Sequence, residues 1–138
     1  MTFDVLSEIN YLAALVAAVA FFAIGALWYS PLLFSKAWQR SIGMEPQAAQ
    51  SPSPMLFIIT GIAYFIQAVA LGAIARSTGA TELMDGLVLG LFIGVGVVAT
   101  QIWVNTSYEG RPPALMWINA GVGVLGFVAM AIIMTVWD

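Results

Sequence analysis

Four long apolar stretches, separated by short polar segments, make up most of this chain. No Asp, Glu, Lys or Arg occurs in residues 9–35, 46–75, 86–108 or 112–137. Each range contains about 20 mostly apolar residues, which at 1.5 Å per residue is enough for a helix to cross the ~30 Å hydrocarbon core of a bilayer. The pattern therefore predicts an all-α integral membrane protein with four transmembrane helices.

The predicted spans form a single membrane domain that takes up the whole chain. The sequence is 62% hydrophobic and 8% charged, whereas soluble domains contain about 25% charged residues. A soluble fold is excluded on this ground, and the lipid bilayer is the first expected partner. The spans are expected at residues 9–29, 55–75, 86–104 and 114–137.

The segment after the first span is expected to leave the membrane and run along its surface. Ser30-Pro31 is typical of a helix N-cap followed by proline at the first helical position. We predict a short interfacial amphipathic helix over residues 31–42, and a mobile linker over the proline-rich residues 45–54. The apolar face of the interfacial helix would carry Phe34, Trp38 and Ile42, and its charged face Lys36 and Arg40.

Positive residues in the short connections predict the orientation of the protein in its membrane. Three of the four cations lie in the first and third connections, and only Arg76 lies in the second. The positive-inside rule therefore places both termini outside. The connections over residues 30–54 and 105–113 are expected to be cytoplasmic.

Several kinds of chemistry are missing from the composition. The chain has no His and no Cys, and its seven acidic residues are scattered through termini and connections. These residue types are the usual ligands of haem, zinc and Fe–S clusters, so no metal and no cofactor is expected. No basic patch is present to bind nucleic acid. No charged residue lies inside a span, which argues against a proton-coupled pump.

Three glycines at intervals of four residues mark one face of the third span. Gly86, Gly90 and Gly94 form a ladder of small residues that lets two helix backbones approach closely. The ladder could pack another helix of the same bundle, or it could be the face on which a partner or a second copy docks. A second glycine pattern, GVGVLG at residues 121–126, resembles a dinucleotide fingerprint but lies inside an apolar span, so we reject that reading.

Uncharged polar residues inside the spans are the remaining candidates for a binding site. Gln67, Gln101, Asn105 and Asn119 could line a shallow polar pocket open to the cytoplasm. Its rim would be aromatic. The alternative is that these side chains only join helices through hydrogen bonds, as polar groups in membrane helices often do. The rim residues would be Trp28, Tyr29, Trp103, Tyr108 and Trp117.

Three segments resemble an uncharacterised bacterial membrane family, catalogued as domain of unknown function 1761. They are NYLA at residues 10–13, GALWYSPLLFSKAW at residues 25–38 and NAG at residues 119–121. The resemblance implies a four-span protein of the plasma membrane (the bacterial inner membrane) and implies no activity. The positions that it marks for testing are Asn10, Trp28, Tyr29, Ser30, Pro31, Lys36, Trp38 and Asn119.

Three functions remain open at this point. The first is an accessory or scaffolding subunit that docks onto a larger membrane complex through the glycine ladder. The second is a homo-oligomeric carrier or binder of a small neutral or lipidic ligand, which the polar pocket would hold. The third, which we rank last, is a cofactor-free membrane enzyme whose acid–base chemistry would fall to Glu109 or Tyr29.

Overall fold

The computed structural model describes residues 1–30, 35–41 and 53–137, and these residues form helices and contain no strand. Four of the helices are long and apolar enough to cross a membrane. A 3₁₀ helix at Phe3–Glu8 comes first. It is followed by α1 (Tyr11–Trp28), α2 (Ser35–Ser41), α3 (Pro54–Thr78), α4 (Leu83–Tyr108) and α5 (Pro113–Val136).

Capping residues explain where α1 and α3 begin and where α3 ends. The Asn10 side chain accepts a hydrogen bond from the Ala13 amide (3.0 Å), which satisfies one of the free donors at the start of α1. Ser53 caps α3 in the same way and is followed by Pro54 at the first helical position. Gly79 ends α3 in the left-handed conformation (φ 74°), which glycine adopts without strain.

The third long helix extends past the expected span at both ends. The expected span covered residues 86–104, whereas α4 runs from Leu83 to Tyr108. Asn105 therefore lies within a helix and not in the predicted connection over residues 105–113. Of the predicted interfacial helix 31–42, α2 covers Ser35–Ser41. Residues 31–34 and 42, like most of the predicted linker 45–54, lie outside the described residues.

Helix α5 is the centre of the bundle. Its most apolar stretch is 56% buried within the chain, against 28% for α1, 17% for α3 and 11% for α4. It contacts α1, α2, α3 and α4, whereas α3 and α4 touch each other only briefly. Helix α3 packs against α1 as well as against α5, and the low burial of α3 and α4 leaves much of both helices uncovered.

The glycine ladder of α4 packs against the backbone of α5. A Cβ added at Gly90 would lie 2.5 Å from Cα of Val128, so a side chain does not fit there. The same holds one turn away on each side, where Gly86 lies against Ile132 (2.7 Å to Cα) and Gly94 against Val124 (3.1 Å to Cα). The chain's own α5 thus occupies the face that was also considered as a docking surface for a partner.

Two glycines of α5 receive large side chains from α1. The ring of Trp28 lies over Gly121, where an added Cβ would be 2.7 Å from it. The ring of Phe21 lies over Gly126 and leaves no room for any side chain. The glycine pattern at residues 121–126 therefore serves helix packing, because it lets α1 approach α5 with its aromatic residues inserted between the helices.

A π-helical segment interrupts α4 in the middle. It covers Gly94–Ala99, with regular α-helix on both sides. A π-turn accommodates one more residue than an α-turn, so it shifts the register of everything that follows by one residue. The Thr100 hydroxyl donates to the carbonyls of Gly96 (2.9 Å) and Val97 (3.1 Å), which supplies hydrogen bonds to backbone groups in this segment.

Replacing Gly90 with alanine should destabilise the bundle, whereas the same change at Gly96 should not. The new methyl group at Gly90 would meet backbone atoms of α5, which cannot move aside cheaply, whereas nothing lies within 4 Å of the corresponding point at Gly96. We expect Gly90→Ala to lower the free energy of unfolding by about 1–3 kcal/mol. Reversible unfolding in mixed micelles, followed by circular dichroism, measures both variants. Equal effects of the two substitutions would contradict the packing described here.

Deleting one residue from the π-helical segment should be tolerated, whereas deleting one residue from the ladder should not. Without Val97, α4 can continue as a regular α-helix with the same residues facing α5 in both halves. Without Val88, the Asp85 carboxylate takes the place of Gly86 against Ile132, where it is both too large and charged. The yield and melting temperature of the two deletion variants test this. Similar losses from both deletions would show that the segment does not act as a one-residue insertion.

Candidate functional site

Two aromatic residues at the end of α1 are hydrogen-bonded to α5. The indole Nε1 of Trp28 donates to the backbone carbonyl of Ile118 (2.9 Å), and the hydroxyl of Tyr29 donates to Oδ1 of Asn119 (2.5 Å). Both residues, which were expected at the rim of the polar pocket, are half-buried. Three positions marked by the resemblance, Trp28, Tyr29 and Asn119, are thus joined at one end of the bundle, here called the α2 end.

Helix α2 lies beside this pair and contacts α5. The ring of Trp38 packs edge-on against the ring of Tyr29, with 5.7 Å between the ring centroids. Gln39 is buried, whereas Lys36 and Arg40 are exposed, so the two cations of α2 face away from the bundle. Trp28, Tyr29, Trp38 and Asn119 are called the aromatic cluster below.

The other positions marked by the resemblance lie around the aromatic cluster or far from it. The Ser30 hydroxyl donates to the Leu27 carbonyl (2.6 Å) and so closes the end of α1. The expected cap of the interfacial helix would need residues up to Pro31, which lies outside the described residues. Asn10 is at the opposite end of α1, where it caps the helix. The contacts of Ser30 and Asn10 stabilise the two ends of α1 and do not form a pocket.

The aromatic cluster is uncharged, and its environment keeps it so. Burial, followed by the nearby Tyr64, raises the pKa of Tyr29 to about 12. The phenol therefore remains protonated and can donate to Asn119 at any physiological pH. A phenol that stays protonated is poorly suited to act as a general base, and its proton, which an acid would have to give up, is already donated to Asn119.

The structure separates the four polar residues that were expected to line one pocket. Asn119 bonds to Tyr29 between the helices, whereas Gln101 and Asn105 are exposed on the outside of α4. The fourth member, Gln67, is partly buried in the middle of α3, and its Oε1 has no hydrogen-bond partner among the described residues. Of the expected aromatic rim, Trp103, Tyr108 and Trp117 are exposed.

The register shift in α4 explains why its two amides face outwards. Gln101 and Asn105 come seven and eleven residues after Gly94, which in an uninterrupted α-helix would put them on the face of the ladder. After the π-helical segment, Ile102 and Thr106 take these inward positions. Thr106 is buried, and Ile102 reaches 3.7 Å from the point where Gly123 would carry a Cβ. No pattern in the sequence signals this change of register.

The exposed part of α4 next to the π-helical segment carries several hydrogen-bonding groups. Nε2 of Gln101 donates to Oδ1 of Asn105 (3.1 Å), and among the described residues neither amide makes another hydrogen bond. Oε1 of Gln101 and Nδ2 of Asn105 therefore remain available. Gly96 and Thr100 are exposed beside them. These four residues, Gly96, Thr100, Gln101 and Asn105, are called the amide face.

A scan against protein-family models identifies the chain. The family described as "Protein of unknown function (DUF1761)" matches residues 12–135, which is nearly the whole sequence. The chain belongs to this family. Searches of curated proteins and of solved structures found no match.

Membership in the DUF1761 family confirms the resemblance seen in the sequence, and the four apolar helices agree with a membrane protein. It adds no activity, so a function has to be argued from the geometry of the chain itself. Within the family-matched region, the aromatic cluster and the amide face are two places where described polar groups of different elements or turns come together.

Two concave surfaces of this DUF1761 protein are apolar grooves. One, of about 660 Å³, lies between α1 and α3 and has Ala18, Phe22 and Gly61 among its walls. The other, of about 500 Å³, lies between α1 and α5 beside Trp28. Both are open at the side, and neither is lined by any of the four residues predicted to form a polar pocket.

The hydrogen bond between Tyr29 and Asn119 should contribute measurably to the stability of this DUF1761 protein. We expect a double-mutant cycle with Tyr29→Phe and Asn119→Leu to give a coupling free energy of about 0.6–1.7 kcal/mol, the range found for such bonds between membrane helices. Unfolding in mixed micelles measures each member of the cycle.

The same coupling should not change between pH 6 and pH 9. The Tyr29 phenol is protonated throughout this range in both states, because its pKa is about 10 in the unfolded chain and burial raises it to about 12 in the folded protein. Stability linked to this shift is complete below the unfolded pKa and is lost only as the pH rises towards the folded pKa. A coupling near zero, or one that decays between pH 6 and pH 9, would contradict this assignment.

Proposed function

We propose that this protein is an accessory or scaffolding subunit of a membrane assembly, and that it docks through the amide face of α4. The supporting observation is the exposed pair formed by Gln101 and Asn105, which the chain's own helices leave uncovered. Gln101 lies seven residues before the end of α4, or about 10 Å along the helix axis, and Asn105 lies one turn nearer to that end.

Gln101 lies inside the expected span 86–104 and Asn105 directly follows it, and an amide within the span favours association with another helix. Hydrocarbon offers no hydrogen-bonding partners, so an unpaired amide group there is costly. Polar side chains of membrane helices therefore tend to face other helices and to bond across the interface. The free Oε1 of Gln101 and Nδ2 of Asn105 supply one acceptor and one donor for a helix that covers this face.

The glycine ladder does not support this proposal. Gly86, Gly90 and Gly94 contact the backbone of α5, so they contribute to docking only indirectly, by holding α4 in place. The docking role that the sequence suggested for the ladder is therefore moved to the other side of the same helix, beyond the π-helical segment.

An enzymatic function is less well supported. Glu109, one of the two candidate acid–base groups, forms a salt bridge with Arg111 in the connection after α4 (2.8 Å). The other candidate, Tyr29, donates its proton to Asn119 in a hydrogen bond. Both groups have structural partners, and neither lines one of the grooves described above.

A second candidate function, the binding of a small neutral or lipidic ligand, is favoured by one observation. Oε1 of Gln67 is buried near the middle of α3 and has no hydrogen-bond partner within the described part of the chain. An unsatisfied buried acceptor costs about 1–3 kcal/mol, and a ligand with a hydroxyl or amide donor would remove this cost. This observation concerns one atom, whereas the amide face offers a donor and an acceptor on an uncovered surface.

Replacing both amides with leucine should release the partner. The protein is extracted from native membranes in a mild amphiphile and weighed as an intact complex by mass spectrometry. We expect the wild type to retain a stoichiometric protein partner, and the double variant Gln101→Leu/Asn105→Leu to lose it. Phe92→Leu is the matched control, because Phe92 is exposed on the same helix (70%) but offers no hydrogen bond.

The outcomes separate the two candidate functions. A partner that stays bound to the amide variant would exclude the amide face as the docking surface. A retained small molecule that disappears with Gln67→Leu, but stays with the amide variant, would support the ligand-binding function instead.

A further inference from the structure

The free hydrogen-bonding groups of the amide face indicate which kind of partner fits it. Beyond the bond between them, the two amides still offer both acceptors and donors, among them Oε1 of Gln101 and the N–H groups on Nδ2 of Asn105. A surface that offers both kinds of group can satisfy a second copy of itself. In a two-fold symmetric interface each contact occurs twice, so each such bond would be made on both sides.

We propose that the occupant of the amide face is the amide face of a second copy of this chain. The proposal rests on the function proposed above and names the partner for the same surface. With both copies in the orientation that the positive-inside rule predicts, their α4 helices run parallel about a two-fold axis along the membrane normal.

Parallel pairing brings the amides together at matching depth. Gln101 and Asn105 of one copy lie at the same level as their counterparts in the other copy, without any adjustment of helix tilt or register. Paired asparagines are known to fix the register and number of strands in parallel helix pairs. A helix from an unrelated protein would need polar groups placed independently at these same levels.

The surroundings of the amides permit the close approach that such short side chains require. Gly96 is exposed, and no atom lies within 4 Å of the point where its Cβ would be. The Thr100 hydroxyl already donates to the carbonyls of Gly96 and Val97, so it needs no acceptor from a neighbour. Both residues are small enough for two helix backbones to come close together, as small residues allow in membrane helix pairs.

The absence of cysteine from the sequence makes the test direct. Single cysteines are introduced at Thr100 or at Val104, an exposed residue one turn further along α4, and at Val19 of α1 as the control. Native membranes are then oxidised mildly. In a parallel dimer each α4 position lies opposite its own copy, so we expect disulfide-linked dimers from Thr100→Cys and Val104→Cys and none from Val19→Cys.

Adding Gln101→Leu and Asn105→Leu to Val104→Cys should weaken the association about tenfold, because two symmetry-related hydrogen bonds are lost. The amount of disulfide-linked dimer as a function of protein density in the membrane measures this. Energy transfer between copies of the otherwise unchanged chain that carry fluorescent tags provides a second measurement, which does not depend on how well the cysteine variants fold.

Three results are distinguishable. Cross-linking at α4 that depends on the amides, together with energy transfer between copies, supports the second copy as partner. A different protein that binds in an amide-dependent manner, without cross-linking or energy transfer between copies, overturns this inference but leaves the proposed function intact. Association with neither a second copy nor another protein overturns both.

Discussion

The contact between the backbones of α4 and α5 is the constraint on which the rest of this structure depends. Three glycines of α4 lie against Val124, Val128 and Ile132, so closely that an added methyl group at any of them meets backbone atoms. In lipid, burying apolar side chains between helices gains little free energy, because the lipid tails are equally apolar. Close van der Waals packing therefore has to hold the helices together. Once α5 is fixed in this way, it can serve as the support for α1, α2 and α3 as well.

At the α2 end too, a glycine allows close packing between helices, here between α5 and the aromatic cluster. Gly121 leaves space on α5 for the ring of Trp28, and the hydrogen bonds of Trp28 and Tyr29 then fix the end of α1. Trp38 packs on Tyr29 and connects α2 to the pair. Four of the eight positions marked by the resemblance are therefore explained by how three helices meet. The amide face, in contrast, has no such explanation within a single chain.

The sequence was sufficient to predict the fold, because long uncharged stretches permit few alternatives to membrane helices. It also marked Trp28, Tyr29 and Asn119, though without their hydrogen bonds. It could not predict the side on which Gln101 and Asn105 lie. Regular periodicity places both with the glycine ladder, and the π-helical segment that changes this leaves no mark in hydropathy or residue spacing. The predicted pocket assumed that α4 keeps a regular α-helical register through the π-helical segment, which it does not.

Because of the π-helical segment, the two halves of α4 follow different helical registers. One inserted residue rotates the second half of the helix by about 100° relative to the first. Lipid accessibility along α4 should therefore follow a period of about 3.6 residues on each side of Gly94–Ala99, with a jump in phase between the two halves. The same break separates the residues that hold the bundle together from those that face outwards. Substitutions can therefore accumulate in the outer set without disturbing the inner contact, so that related chains can share this bundle and differ in what they bind.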